Sequence, residues 1–199
     1  MGDALAQIVA VALGATWYGV DYRLAPEHPA PAAVEDVAAL LGALPGAVAL
    51  GDSAGAGALV AALGSGASAA ALVMVCPWLD LTASHPDPGE PPLTGAWLAR
   101  CARLYAPEDR AGAIASPGRH PWHVTAPTLV VSAGLDPLVG DTRALVNAPG
   151  VEVREWRAAL HDFALLAGSD PDADDAAGVI VDFLSDATGW TRIDSAVTG

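Results

Sequence analysis

The chain has 199 residues and carries 23 acidic side chains against nine basic ones, all of them arginine, for a net charge of −14. Such a charge repels phosphate groups, so we expect neither nucleic acid nor an anionic membrane surface as a partner. The length suits a single domain, since a chain of this size buries about 70% of its unfolded surface.

Apolar runs rich in β-branched residues predict strands, and Ala-rich runs with one apolar face predict helices. In chain order, the predicted elements are a helix over 3–13, a strand over 16–22, a helix over 33–44, a strand over 47–51, a helix over 54–63, a strand over 71–76, a helix over 97–105, a strand over 128–132, a short helix over 141–146, a strand over 151–156 and a helix over 173–187. This alternation indicates an α/β fold whose mostly parallel sheet has helices on both faces. We assign residues 1–188 to one domain and residues 189–199 to a loose C-terminal tail.

The longest uncharged stretch, residues 53–79, is interrupted by Gly64-Ser65-Gly66. It therefore predicts a buried helix followed by a buried strand rather than a membrane span. The N-terminal residues lack the basic and continuous apolar segments of a signal peptide, so we expect a cytoplasmic protein. Cys76 and Cys101 have no metal or redox spacing and are predicted to be reduced core residues.

The strongest local signal is Gly51-Asp52-Ser53-Ala54-Gly55, which lies between an apolar run and an Ala-rich run. A Gly-x-Ser-x-Gly motif in a strand–turn–helix context is typical of a nucleophile elbow, a sharp turn that presents a serine hydroxyl above a sheet. Gly51 and Gly55 would let the strand and the helix approach closely, and Asp52 would have a supporting role. We take Ser53 as the candidate nucleophile, and the alternative is an ordinary Ser/Gly turn.

Two further polar residues follow predicted strands. Asp136 comes after the strand over 128–132, and His161 comes after the strand over 151–156. A serine hydroxyl needs a neutral imidazole to accept its proton, and a carboxylate fixes the tautomer of that imidazole. Taken singly, His161 is better explained as a solvated loop residue and Asp136 as a turn starter. The order Ser, Asp, His, each after a strand, favours a catalytic triad at one edge of the sheet.

With these residues, the chain resembles the hormone-sensitive-lipase-like family of bacterial carboxylesterases over about residues 1–187. The matching motifs are Val20-Asp21-Tyr22-Arg23-Leu24-Ala25-Pro26-Glu27-His28-Pro29, Gly51-Asp52-Ser53-Ala54-Gly55, Ala115-Ser116-Pro117, Asp136-Pro137-Leu138 and His161-Asp162-Phe163. The resemblance implies an α/β-hydrolase-like fold and hydrolysis of short-chain carboxylic esters without a cofactor. It also implies Ser53, Asp136 and His161 as the triad and the Ala54 N–H as an oxyanion donor.

The sequence departs from this family in three places. Gly55-Ala56-Gly57 stands where the family usually has Gly-Gly-Asn after Ser-Ala. A carboxylate, Asp162, stands where the family usually has the glycine of His-Gly-Phe. The His-Gly-Gly-Gly segment that completes the family's oxyanion hole is not found, and Met1-Gly2-Asp3 matches what often follows that segment. We therefore expect a chain truncated at its N-terminus, without the N-terminal strands and lid.

This truncation would have two consequences. The strands over 16–22 and 47–51 would lie about 10 Å apart unless they closed up and paired directly, because the strand between them would be missing. Activity would be weak, since the loss of one oxyanion donor typically removes about 10²–10³ in turnover. The alternative is a hydrolase relic that binds a small molecule without turning it over. The sequence leaves the oligomeric state open, and a homodimer is one option.

Two clusters of possible metal ligands are poor candidates for a metal site. His120 and His123 lie in a Pro-rich loop without nearby carboxylates, which disfavours zinc. The acidic run at residues 170–175 lacks the spacing of a calcium loop and is predicted to cap the last helix.

Overall fold

The computed structural model describes residues 3–85 and 93–193. Its sheet contains β1 (Val48–Asp52), β2 (Ala71–Val75), β3 (Thr128–Ala133) and β4 (Val151–Trp156). The strands lie side by side in chain order, and each pairs in parallel with the next. All four carboxyl ends therefore lie at the same edge of the sheet.

The helices of the described ranges are α1 (Asp3–Leu13), α2 (Ala32–Ala43), α3 (Ser53–Gly64), α4 (Gly95–Tyr105), α5 (Val139–Arg143) and α6 (Pro171–Thr188). Four of them cover the two faces of the sheet, and α4 packs in a third cluster with Trp78 and Leu138. Helices α1 and α6 share one hydrophobic cluster with the sheet, and α2 and α3 share the other. The predicted α/β fold is thus confirmed.

Strand β2 explains how one strand serves both layers. Successive side chains of a strand point to opposite faces, so Val73 and Val75 pack toward α1 and α6, whereas Leu72 and Met74 pack toward α2 and α3. All four are completely buried. This is why the sequence of β2 is continuously apolar rather than alternating.

The uncharged stretch over 53–79 contains α3 and β2, as predicted, and both are largely buried. Within the described ranges, no helix combines the length and the apolar character needed to cross a bilayer.

The predicted strand over 16–22 is wrong. These residues adopt no regular secondary structure, and in the described part of the chain β1 pairs with β2 alone. A cavity of about 830 Å³ is lined both by this segment, including Trp17 and Tyr18, and by β1. The composition favours a strand, but a strand forms only where a neighbour pairs with its backbone, and the cavity lies where that neighbour would be.

The other predicted elements are present, with ends shifted by a few residues. Helix α6 begins at Pro171 rather than 173, because the Asp170 carboxylate accepts hydrogen bonds from the N–H groups of Asp172 and Ala173. After α6, the sequence predicts a loose tail over 189–199. Its first part instead contacts α1, since the Ile193 N–H donates to the Ala12 carbonyl at 2.8 Å. Residues 194–199 lie outside the described residues.

Candidate active site

Ser53 lies at the sharp turn from β1 into α3. It is the first residue of α3, and its φ of 50° falls in the left-handed region that side chains other than glycine rarely adopt. Strain of this kind is characteristic of a nucleophile elbow. The Ser53 carbonyl accepts a hydrogen bond of 3.1 Å from the Trp78 N–H, which ties the turn to the segment after β2. Ala54 follows in the first turn of α3, where backbone N–H groups have no acceptor within the helix and favour a negative charge.

The close approach of α3 to β1 depends on glycine at particular positions. A Cβ atom at Gly51 would lie 2.7 Å from Leu59 Cδ1 and 2.9 Å from the Ala56 nitrogen, so no larger residue fits there. At Gly55, by contrast, the nearest atom is the Tyr22 hydroxyl at 3.8 Å, which is an ordinary contact. Of the two predicted elbow glycines, packing therefore requires Gly51 and leaves room at Gly55.

The sequence interpretation gave no separate role to Gly57, yet packing requires glycine there too. A Cβ at this position would lie 2.6 Å from the Trp78 carbonyl oxygen. The sequence shows Gly57 only as a second glycine after Ser53, and the clash could not be predicted because it is with a segment distant in sequence.

The structure brings Ser53, Asp136 and His161 together. The His161 Nδ1 atom lies 2.8 Å from the Asp136 carboxylate, and its Nε2 atom lies 3.0 Å from the Ser53 hydroxyl oxygen. The Asp136 side chain is almost completely buried, and its other oxygen accepts the Leu138 N–H at 2.8 Å. Because an ionised carboxylate only accepts, Nδ1 must donate to Asp136, and in the neutral ring Nε2 then accepts from Ser53.

A second carboxylate approaches the same ring. The Asp162 Oδ2 atom lies 3.2 Å from His161 Nε2, at ion-pair distance. Burial lowers the pKa of His161, but its contacts with Asp136, Asp162 and Cys76 outweigh burial and raise the pKa to about 12. His161 therefore favours its charged form in this environment.

Asp52 adds to the acidic character of the site. Its side chain is partly buried beside Ser53. Burial, followed by the nearby charge of Asp162, raises the pKa of the Asp52 carboxyl group. The structure gives Asp52 no hydrogen bond to the imidazole among the described contacts, so its position is next to the candidate nucleophile and its effect on the ring is through charge.

Cys76 is a neighbour of the site that sequence reasoning missed. Cys76 directly follows β2, and its φ of 44° lies in the left-handed region. It is buried, as predicted, and burial raises the pKa of its thiol. The Cys76 sulfur, an Asp136 oxygen and a His161 nitrogen lie within 4.8 Å of one another. In the described part of the chain, this is the one group of three side chains that could together bind a metal ion. A metal on either nitrogen of His161 would displace the hydrogen bond to Asp136 or to Ser53. Its position after a strand, like that of the three triad candidates, is the sequence feature that could have indicated Cys76.

The segment after β2 is held in place by two buried polar side chains. The Asp141 carboxylate accepts the Leu79 N–H at 2.6 Å and the Asp80 N–H at 2.9 Å. The Ser116 hydroxyl oxygen accepts the Leu81 N–H at 2.8 Å. Ser116 belongs to one of the family motifs, whereas sequence reasoning gave Asp141 no role.

The two clusters that we disfavoured as metal sites make local contacts. His120 bonds to the Ala111 carbonyl at 3.0 Å, and His123 bonds to the Pro121 carbonyl at 2.9 Å. Asp170 caps α6, as predicted for the acidic run.

Comparison with known proteins identifies the family. A sequence profile described as alpha/beta hydrolase fold matches residues 1–165. The chain belongs to this family. An esterase of the bacterial hormone-sensitive lipase family is 32% identical to this α/β hydrolase, with a TM-score of 0.82 over 92% of this chain and 69% of that chain. An esterase from Pyrobaculum calidifontis is 25% identical, with a TM-score of 0.82 over 92% of this chain and 70% of that chain.

A curated relative is similar over a shorter region. Carboxylic ester hydrolase LipN from Mycobacterium tuberculosis (strain ATCC 25618 / H37Rv) is 49% identical, and the aligned part spans 27% of this chain and 17% of that protein. Together these similarities confirm the resemblance to hormone-sensitive-lipase-like α/β hydrolases that the motifs indicate.

The elbow packing gives a matched pair of substitutions. We expect Gly51→Ala to lower the free energy of unfolding by about 1–3 kcal/mol, because the added methyl group meets the backbone of α3 and cannot be accommodated. Gly55→Ala should cause no loss, because its methyl group comes no closer than 3.8 Å to the Tyr22 hydroxyl and alanine favours a helix. Denaturant unfolding of both variants checks this. Equal losses at the two positions would contradict the packing argument.

Proposed function

We propose that this α/β hydrolase is a serine carboxylesterase that hydrolyses short-chain esters through an acyl-enzyme on Ser53. The observation that carries the proposal is the unbroken hydrogen-bonded series from Ser53 through His161 to Asp136, with contacts of 3.0 and 2.8 Å. These three residues lie 25 to 108 positions apart in sequence, so their contact results from the fold and not from local chain geometry.

In the acylation step, the Ser53 oxygen forms a bond to the ester carbonyl carbon while His161 Nε2 takes the hydroxyl proton. The carbonyl electron pair moves onto oxygen and gives a tetrahedral oxyanion. When this intermediate collapses, the bond to the alkoxy group breaks and His161 returns the proton to the departing alcohol. Asp136 stabilises the imidazolium that exists between these two transfers.

Deacylation repeats the sequence with water. His161 removes a proton from water, the water oxygen bonds to the acyl carbon, and collapse of the second oxyanion releases the carboxylic acid as the proton returns to Ser53. In both steps, the imidazole of His161 therefore accepts one proton and gives it back. This chemistry uses no cofactor.

The Ala54 N–H, at the start of α3, is the proposed donor to both oxyanions. The partial positive charge of a helix N-terminus adds to its effect. With the second donor of the family absent from the sequence, we expect turnover lower by about 10²–10³ than that of an enzyme with a complete oxyanion hole.

Support for short-chain esters as substrates comes from similarity. One solved relative, EstE5, was soaked by p-nitrophenyl butyrate and is 27% identical to this chain, with a TM-score of 0.81. A C4 acyl group is thus the first substrate to test. The acidic site also favours esters that carry no negative charge of their own.

The nucleophile is tested by hydrolysis of p-nitrophenyl acetate and butyrate. We expect slow release of p-nitrophenol by the native protein and none above background by Ser53→Ala. The variant keeps all five histidines, so it also controls for non-specific hydrolysis by imidazoles. If both proteins hydrolyse the esters equally, the serine mechanism is wrong, and ligand binding without turnover would support the relic alternative.

The role of Asp136 gives a second prediction. Asp136→Asn preserves the size of the side chain, but its amide can donate to Nδ1 and so move the ring proton to Nε2, the atom that must accept from Ser53. We expect kcat to fall by up to about 10⁴-fold. Asp182→Asn, a charge-matched change at an exposed position on α6, should leave kcat unchanged. Full activity of Asp136→Asn would contradict the proposed triad.

A further inference from the structure

The Nε2 atom of His161 faces two oxygen atoms of different character. The Ser53 hydroxyl oxygen lies at 3.0 Å, and the Asp162 carboxylate oxygen Oδ2 lies at 3.2 Å. Asp162 is held there by an unusual backbone, since its φ of 58° is in the left-handed region. Its second oxygen, Oδ1, is buried and finds no hydrogen-bond donor among the described residues.

This arrangement favours one protonation state of the ring. When His161 is an imidazolium, its Nε2–H points into a region that contains a full negative charge, and attraction stabilises the pair. When His161 is neutral, the Nε2 lone pair faces the lone pairs of that same carboxylate. The buried Oδ1 has no hydrogen-bond donor among the described residues, and the ion pair of this partly buried carboxylate in the described chain is with His161, so the charged ring is the partner that compensates it.

We propose that Asp162 is a positioning residue that holds His161 in its protonated form in the resting enzyme and so sets the pH at which Ser53 can be activated. The proposal rests on the proposed function of Ser53 and His161. For Ser53 to be activated, the protonated His161 of the resting enzyme must first lose its Nε2 proton to solvent, and Asp162 opposes that loss. The carboxylate acts through the imidazole and does not contact the ester.

Asp136 and Cys76 also favour the charged ring, but neither places a carboxylate at Nε2. Asp136 contacts Nδ1, on the opposite side of the ring. The pKa of the Cys76 thiol is raised by burial, so the thiol stays neutral. Asp52 interacts with His161 through its charge alone, and burial raises the pKa of its carboxyl group. Among the described groups that face the ring, Asp162 is the one carboxylate within ion-pair distance of the nitrogen that must accept the serine proton.

The test is the titration of His161 in the native protein and in Asp162→Asn, followed by NMR of its imidazole, with assignment by His161→Gln. Asparagine tolerates the left-handed backbone and removes the charge. In Asp162→Asn, we expect the midpoint of the His161 titration to lie roughly one to three pH units lower than in the native protein, the range usual for the removal of a charge at this distance. Where the protein hydrolyses an ester, the lower limb of kcat/KM against pH should move in the same direction.

A control variant separates the effect of the Asp162 contact with Nε2 from the effect of negative charge near the site in general. Asp52→Asn removes a charge near the site without touching His161, so we expect a smaller shift. Asp162→Gly suits the backbone at this position and replaces Asp162→Asn if that variant does not fold. An unchanged or raised midpoint in the Asp162 variant, or an equal shift in Asp52→Asn, overturns the proposal. The NMR titration needs no turnover, so loss of esterase activity alone would count against the proposed function and not against this inference.

Discussion

The parallel alignment of four neighbouring strands is the constraint on which the site depends. Because β1 to β4 run in the same direction and in chain order, the residues that follow them emerge at one edge of the sheet. Ser53, Cys76, Asp136 and His161 each follow a different strand within a few residues. A strand reversed anywhere in this series would carry its polar residue to the opposite edge, and the hydrogen bonds from Ser53 to Asp136 could not form.

The second constraint is local and concerns the turn at Ser53. A serine in the left-handed region costs about 1–3 kcal/mol and persists only where the surrounding structure fixes it. Here the buried helix α3 packs against β1 at Gly51, and the Trp78 N–H holds the Ser53 carbonyl. The same packing that stabilises the fold therefore presents the hydroxyl to His161, and stability and reactivity depend on the same contacts.

The sequence predicts much of this arrangement, because strand and helix periodicity and the order Ser53, Asp136, His161 are properties of the chain itself. It fails over residues 16–22, because a composition that suits a strand does not supply a partner for its backbone. It also misses Cys76 and Asp141, whose partners are distant in sequence. Asp162 was noticed as a departure, but its contact with Nε2 depends on a backbone angle that no local pattern encodes.

We propose that the fold makes Ser53 more reactive than the other serines of the chain. Phenylmethylsulfonyl fluoride tests this directly, because an activated serine oxygen displaces fluoride and becomes a sulfonate ester, with the serine proton leaving as HF. Peptide mapping by mass spectrometry should find the added group on Ser53 in the native protein and not in His161→Ala. Modification spread over several serines, or equal modification of Ser53 in His161→Ala, would contradict the account.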